Sequence, residues 1–161
     1  YKLASSSTWV GTSTQTGTTK TLTGLNVGST YDWRVRTNCS SGNSAYVQST
    51  FTTTCNPPTA LKYSNTTIDS STISWTAATG AINYTYEYKL FSSSTWTNTT
   101  TLSGISDRVG ILNAGTAYNW QVKANCASVS SAFVSSNIYT PCPEPTSFTN
   151  TAVTTTSASF S

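Results

Sequence analysis

Apolar and polar residues alternate with a period of two along several short segments of the chain. The clearest apolar series are Tyr31, Trp33 and Val35, then Ile82, Tyr84, Tyr86 and Tyr88, and finally Tyr118, Trp120 and Val122. Side chains of a β-strand return to the same face at every second residue, so each series predicts a strand with one buried face. No segment follows the roughly 3.6-residue period of an amphipathic helix, and the predicted fold class is therefore all-β.

The predicted core collects the large apolar residues of these series together with a Trp of an earlier strand. Its members are Tyr31, Trp33, Trp75, Tyr84, Tyr86, Tyr118, Trp120 and Val122. Short strands with one apolar face each bury those faces when two sheets pack against each other, so the sequence predicts a β-sandwich.

The chain repeats itself at an offset of 87 residues. Residues 1–74 and 88–161 are identical at 31 of 74 positions in this alignment. The repeat predicts three parts: a partial domain with C-terminal strands at 1–54, a complete domain at 55–140, and a partial domain with the first strands at 141–161. We expect the chain to be an excerpt from a longer tandem array of such domains.

The motifs around these strands are similar to those of a known family. Residues 22–35, with the sequence LTGLNVGSTYDWRV, resemble the E–F signature of fibronectin type III domains. Trp75 resembles the second-strand Trp of that family, and the spacing of Tyr84, Tyr86 and Tyr88 resembles its third strand. The resemblance implies tandem, immunoglobulin-like, seven-stranded β-sandwiches along the whole chain.

The resemblance also implies a role for two tyrosines at the start of the sixth strand. Tyr31 and Tyr118 would be tyrosine-corner residues, whose hydroxyl groups bind the backbone of the preceding turn. The complete domain departs from the signature at 109–112, where VGIL replaces the LTGL of 22–25.

Composition excludes several classes of function. The chain has no His, only 8% charged residues, and five carboxylates that lie far apart in sequence: Asp32, Asp69, Glu87, Asp107 and Glu144. Because His is the commonest general base and metal ligand, we predict no catalytic residue, no cofactor, no metal site and no enzyme activity. The net charge of +3 is scattered, and no apolar run reaches the roughly 18 residues of a membrane span. We therefore expect neither nucleic-acid binding nor membrane insertion.

Four cysteines allow three complete sets of disulfides. An extended strand over 46–53 would hold Cys55 about 30 Å from the loop of Cys39, at roughly 3.3 Å per residue. The fibronectin type III resemblance places Cys55 at the same pole as Cys126, and so implies a Cys55–Cys126 disulfide in an exported protein. A pair of reduced core thiols and a zinc site remain the alternatives, and Cys142 and Cys39 would pair with neighbouring domains of an array.

Two tryptophans and a short basic ladder are the candidate binding features. Trp9 and Trp96 follow Ser-rich turns, and we expect them to be more exposed than the tyrosine series of 84–88. The favoured interpretation is a structural role in covering the sheet edge, and contact with a carbohydrate or a partner is the alternative. Arg34 and Arg36 lie on the polar face of their strand and are interpreted as a solvated face. The tyrosine series of 84–88 is interpreted as core rather than as a sugar-stacking platform.

The function predicted from these features is a non-catalytic structural or spacer array that supports adhesion or display. The Ser/Thr-rich composition, with 34 Thr and 27 Ser, and the cysteine positions resemble repeats of large exported bacterial surface proteins. The expected location is extracellular or at the cell surface, and the expected partners are neighbouring domains of the array, other surface proteins or polysaccharide. The alternatives are a carbohydrate-binding accessory module of a secreted enzyme and a self-assembling fibre subunit that exchanges strands.

Overall fold

The computed structural model of the chain describes residues 1–11, 13–147 and 149–160, and it contains strands but no helix in these ranges. In chain order the strands are β1 Lys2–Leu3, β2 Thr30–Val35, β3 Asn38–Cys39, β4 Gly42–Asn43, β5 Val47–Thr52, β6 Thr59–Ser64, β7 Ser71–Thr76, β8 Asn83–Leu90, β9 Thr97–Leu102, β10 Ser106–Val109, β11 Ala117–Asn125, β12 Val134–Tyr139, β13 Asn150–Val153 and β14 Ala158–Phe160. The all-β fold class predicted from the alternation is confirmed. No helix able to cross a membrane occurs in the described ranges.

Residues 55–140, called the complete unit below, form a sandwich of two antiparallel sheets. One sheet has the strand order β10-β7-β6 and the other the order β12-β11-β8-β9. Strand β11 lies in the centre of the larger sheet, where Trp120 pairs with Tyr88 on one side and with Ser136 on the other. This is the predicted seven-stranded sandwich, because each of the seven strands contributes at least one apolar side chain to the core.

The core of the complete unit is aromatic. Its buried side chains are Ile73, Trp75, Tyr84, Tyr86, Val109, Leu112, Tyr118, Trp120, Val122, Ala124 and Ile138. The Trp75 ring lies 6.2 Å from the Trp120 ring and 5.4 Å, edge-on, from the Tyr84 ring. Full burial of one large apolar side chain contributes about 1.5–3 kcal/mol, so this cluster accounts for much of the stability of the sandwich.

Ile82 was predicted to share the buried face of the tyrosine series, and this prediction is wrong. The residue is 62% exposed because it precedes β8, which begins at Asn83. Its backbone N–H donates to the carbonyl of Asn125, so it lies at the sheet margin rather than within the pleat.

Residues 1–54, called the first unit below, contain a three-stranded sheet of order β1-β2-β5. Tyr31 is buried in it between the rings of Tyr1 and Phe51, at 6.0 and 5.5 Å. The prediction that Trp33 lies in the core is wrong, because its side chain is 42% exposed. In the described ranges no second sheet covers Trp33, whereas Trp75 of β7 covers the equivalent Trp120.

Two short hairpins complete the described structure. Strands β3 and β4 pair with each other within the connection from β2 to β5. Strands β13 and β14 pair with each other, with a register irregularity between Asn150 and Ala152. The predicted domain boundaries at 54/55 and 140/141 stay predictions, and the sheets described above all lie within them.

Candidate functional site

The turn before β2 is fixed by a hydrogen-bonded corner. Tyr31 accepts a hydrogen bond at its hydroxyl from the N–H of Asn26, at 2.8 Å. The Thr53 hydroxyl donates to the carbonyl of Asn26 at 2.6 Å and accepts from the N–H of Ser29 at 2.9 Å. This is the corner that the family resemblance implied for Tyr31.

The turn before β11 repeats this corner atom for atom. Tyr118 accepts from the N–H of Asn113 at 2.8 Å, and the Thr140 hydroxyl donates to the carbonyl of Asn113 at 2.6 Å. Thr140 also accepts from the N–H of Thr116 at 2.9 Å. Each hydroxyl satisfies a backbone group that the turn would otherwise leave without a partner.

The corner of the first unit holds Gly28 against the end of the complete unit that carries Cys55 and Cys126. Gly28 has a φ of 58°, and a Cβ on it would lie 2.2 Å from the Cβ of Cys126 and 2.9 Å from its Sγ. The N–H of Ser128 donates to the Gly28 carbonyl at 2.8 Å, and the N–H of Thr30 donates to the Ser128 hydroxyl at 3.2 Å. We call this contact the junction.

A second glycine closes the other side of the junction. Gly80, with a φ of 78°, faces Val27, and a Cβ on it would lie 2.8 Å from the Val27 Cβ. Both units therefore meet through glycine backbones, which approach more closely than residues with side chains allow.

The disulfide at the junction joins Cys55 to Cys126, with their Cα atoms 6.0 Å apart. This is the pair that the fibronectin type III resemblance implies. Cys39 and Cys142 are free and exposed. No group of three or more metal-ligating side chains occurs in the part of the chain that the structure describes.

The geometry around Gly28 recurs at Gly115 of the complete unit. Gly115 has a φ of 59°, and a Cβ on it would lie 3.0 Å from the Sγ of Cys142. The N–H of Gly115 donates to the carbonyl of Pro141, just as the N–H of Gly28 donates to that of Thr54. Cys142 is therefore presented beside Gly115 as Cys55 is beside Gly28.

The side of the β1-β2-β5 sheet that carries Asp32 and Arg34, called the outer face below, places cations against aromatic rings. The Arg34 guanidinium carbon lies 4.0 Å from the centroid of the Trp9 ring and 4.2 Å from that of Tyr46. Arg36 lies 4.9 Å from Tyr46, and the Lys2 ammonium lies 5.6 Å from Trp9. Sequence reasoning missed Tyr46, which lies directly before β5 and one residue beyond the last pair of the β2–β5 ladder, Val35 with Val47.

The two candidate tryptophans are half-buried rather than freely exposed. Trp9 is covered in part by Arg34, and the ammonium group of Lys89 lies 5.1 Å from the centroid of Trp96. Cations therefore occupy ring surface that a sugar would need for stacking.

The structure places the tyrosine series mainly in the core. Tyr84 and Tyr86 are buried, and the Tyr86 hydroxyl donates to the Asp107 carboxylate at 2.7 Å. Burial, reinforced by the Asp107 charge, raises the pKa of Tyr86 to about 12. Burial also raises the pKa of Tyr88, while a hydrogen bond from the Thr67 hydroxyl lowers that of Asp69. These shifts belong to structural contacts and assemble no catalytic pair.

Comparison with known proteins supports the fold. No family model matches the chain. It is 32% identical over 124 residues to Chitinase A1 of Niallia circulans, a match that covers 70% of this chain and 17% of that protein. The chain thus spans about a sixth of the length of this relative.

Solved structures agree with the sandwich topology. A two-domain fibronectin type III segment of chicken tenascin superposes with a TM-score of 0.64 at 22% identity, covering 73% of this chain and 68% of that one. The fn3 domain of the human collagen alpha-1(XX) chain gives a TM-score of 0.52 at 20% identity, covering 58% of this chain and 91% of that one. The chain therefore has the fibronectin type III fold.

Proposed function

We propose that the chain is a non-catalytic structural module, whose units act as a spacer in an extracellular bacterial surface or secreted protein and support adhesion or display. The observation that carries the proposal is the contact of Gly28 with the Cys55–Cys126 disulfide. A spacer has to keep the domains at its two ends at a fixed distance, so its units need a contact that limits bending between them.

The segment that links the two units is tied to the corner rather than free. The N–H of Thr53 donates to the Ser29 carbonyl at 3.0 Å, and the N–H of Gly28 donates to the Thr54 carbonyl at 3.0 Å. The next residue, Cys55, is covalently joined to Cys126. A linker held in this way has few free dihedral angles, so bending requires the loss of several contacts together.

The disulfide supports the proposed location, and the relative supports the proposed bacterial host. Structural disulfides persist in oxidising, extracytoplasmic compartments, which supports export. Similarity to part of Chitinase A1 of Niallia circulans supports a module of a bacterial protein. Because the match covers only 17% of that protein, the chitinase activity itself is not transferred to this chain.

Measurement of ¹⁵N relaxation tests whether the units move as one body. We expect amides of β2 and β5 to share a rotational correlation time with those of β8 and β11. In Gly28→Ala the two units should have different correlation times, because the Cβ of the new Ala would overlap Cys126 and break the contact between the units. The matched control is Gly24→Ala, which has the same left-handed backbone but open space around it. Separate correlation times in the unmodified protein, or equal effects of both variants, would contradict the spacer proposal.

A carbohydrate-binding accessory role is the second candidate, and the similarity to a chitinase favours it. It requires saturable binding to a polysaccharide such as chitin through Trp96. Binding to insoluble chitin should then be lost in Trp96→Ala and kept in Phe91→Ala, which removes an exposed aromatic ring from the same β8–β9 connection. Absence of saturable binding would reject this role and leave the spacer proposal standing.

A further inference from the structure

The outer face of the first unit holds a guanidinium group between two aromatic rings. Arg34 lies about equally close to Trp9 and Tyr46, at 4.0 and 4.2 Å from the ring centroids. Aromatic rings attract a cation through their negative faces while leaving the N–H edge of a guanidinium open. The side chain is therefore held in one place with its hydrogen-bond donors available.

The charge of Arg34 is not neutralised by the protein. In the described ranges, the ion pair on this face joins Lys2 to Asp32 at 2.7 Å. The side chains of Arg34 and Arg36 make no ion pair or hydrogen bond with any other described residue. Two exposed guanidinium groups, that of Arg34 in β2 and that of Arg36 directly after β2, thus lie beside the same Tyr46 ring.

The complete unit has a similar row of cations and aromatic rings, but an uncharged residue replaces its middle cation. Gln121 stands where the first unit has Arg34, and its amide donates to the Glu87 carboxylate. The flanking contacts are kept, with Lys89 beside Trp96 and Lys123 lying 4.9 Å from the ring of Phe133. The Arg34 guanidinium is therefore the feature that distinguishes the outer face of the first unit from the equivalent face of the complete unit.

We propose that the outer face of the first unit binds an acidic polysaccharide through Arg34. The Arg34 edge would form paired hydrogen bonds with a carboxylate or sulfate group, the geometry for which a planar guanidinium is suited. Arg36 would attract a neighbouring anionic group, and Tyr46, whose side chain is 44% exposed, would contact the sugar ring that carries the bound anion. Uronate and sulfate polymers share this chemistry, and the proposal does not rest on the spacer function.

Titration calorimetry with polygalacturonate, dextran sulfate and neutral dextran tests the proposal. We expect one of the two acidic polymers to bind, which identifies carboxylate or sulfate as the ligand group, and neutral dextran not to bind. Arg34→Gln, which copies the complete unit, should weaken binding at least tenfold. Arg34→Lys should also weaken it, because an ammonium group keeps the charge but loses the paired geometry.

The matched control is Lys123→Gln, which removes a cation from the equivalent face of the complete unit and should leave affinity unchanged. Circular dichroism of each variant confirms that the exposed substitutions preserve the sheets. Unchanged affinity in Arg34→Gln or in Arg34→Lys, an equal loss in Lys123→Gln, or equally tight binding of poly-glutamate would overturn the proposal. The relaxation experiment on the junction is independent of this result.

Discussion

Ile111 adopts a left-handed backbone conformation, with a φ of 61°, at the position where the first unit has Gly24 with a φ of 71°. For an L-residue with a Cβ this conformation costs roughly 1–2 kcal/mol, and a β-branched side chain is especially unsuited to it. The Ile111 side chain is fully exposed, at 101% of its reference area, and gains no burial in return. The departure of 109–112 from the family signature is therefore a strained residue in a preserved turn.

Replacement of Ile111 by Gly should stabilise the complete unit. Relief of the strain outweighs the added entropy of the unfolded chain, so we expect the free energy of unfolding to rise by about 1 kcal/mol. Urea denaturation followed by Trp fluorescence measures this change. Ile68→Gly is the control, because Ile68 is also exposed but has no positive φ, and it should be destabilising. A decrease in stability for Ile111→Gly would contradict the strain argument.

Removal of one hydroxyl should weaken the corner of the complete unit. Tyr118→Phe leaves the N–H of Asn113 without its partner in a partly buried turn. We expect a loss of about 1–3 kcal/mol in the free energy of unfolding. Tyr139→Phe should change it by less than about 0.5 kcal/mol, because that side chain is exposed. Equal effects of the two variants in urea denaturation would show that the corner is not what holds this turn.

Loss of the disulfide should be more costly than either change. Cys55 and Cys126 are separated by 71 residues, and closing a loop of that size stabilises a fold by roughly 4 kcal/mol in the chain-entropy model. Cys55→Ala combined with Cys126→Ala should lower the thermal midpoint and remove its sensitivity to reductant. The exposed pair Cys39→Ala and Cys142→Ala should leave the midpoint near that of the unmodified protein. A midpoint insensitive to reductant in the unmodified protein would refute the prediction.

Stability should fall at alkaline pH because of Tyr86. Its pKa is raised to about 12 in the folded state, mainly by burial, against about 10 in an unfolded chain. The folded state thus holds the proton more tightly, so the contribution is complete below pH 10 and declines as pH rises towards 12. Urea denaturation between pH 9 and about 12 should give a steeper decline for the unmodified protein than for Tyr86→Phe. Identical slopes would contradict the assignment to Tyr86.

Much of the fold could be predicted because its causes are local. Alternation identified the strands around Tyr84, Tyr86 and Trp120, since burial on one face of a strand leaves a period-two pattern in the sequence. The family resemblance located the corner of Tyr118. Trp33 was misjudged because an apolar face is buried only where another sheet lies on it, and the pattern does not say which faces are covered.

The sequence by itself determined the strands, the 87-residue repeat and the corner tyrosines, because each of them produces a regular spacing of residues along the chain. Only the tertiary structure decided where separate segments meet. It brought Gly28 against Cys126 and placed Arg34 between Trp9 and Tyr46, residues that no short-range pattern connects. Such contacts depend on how closely backbones approach and how side chains turn across a sheet, and these are settled only when the whole chain has packed.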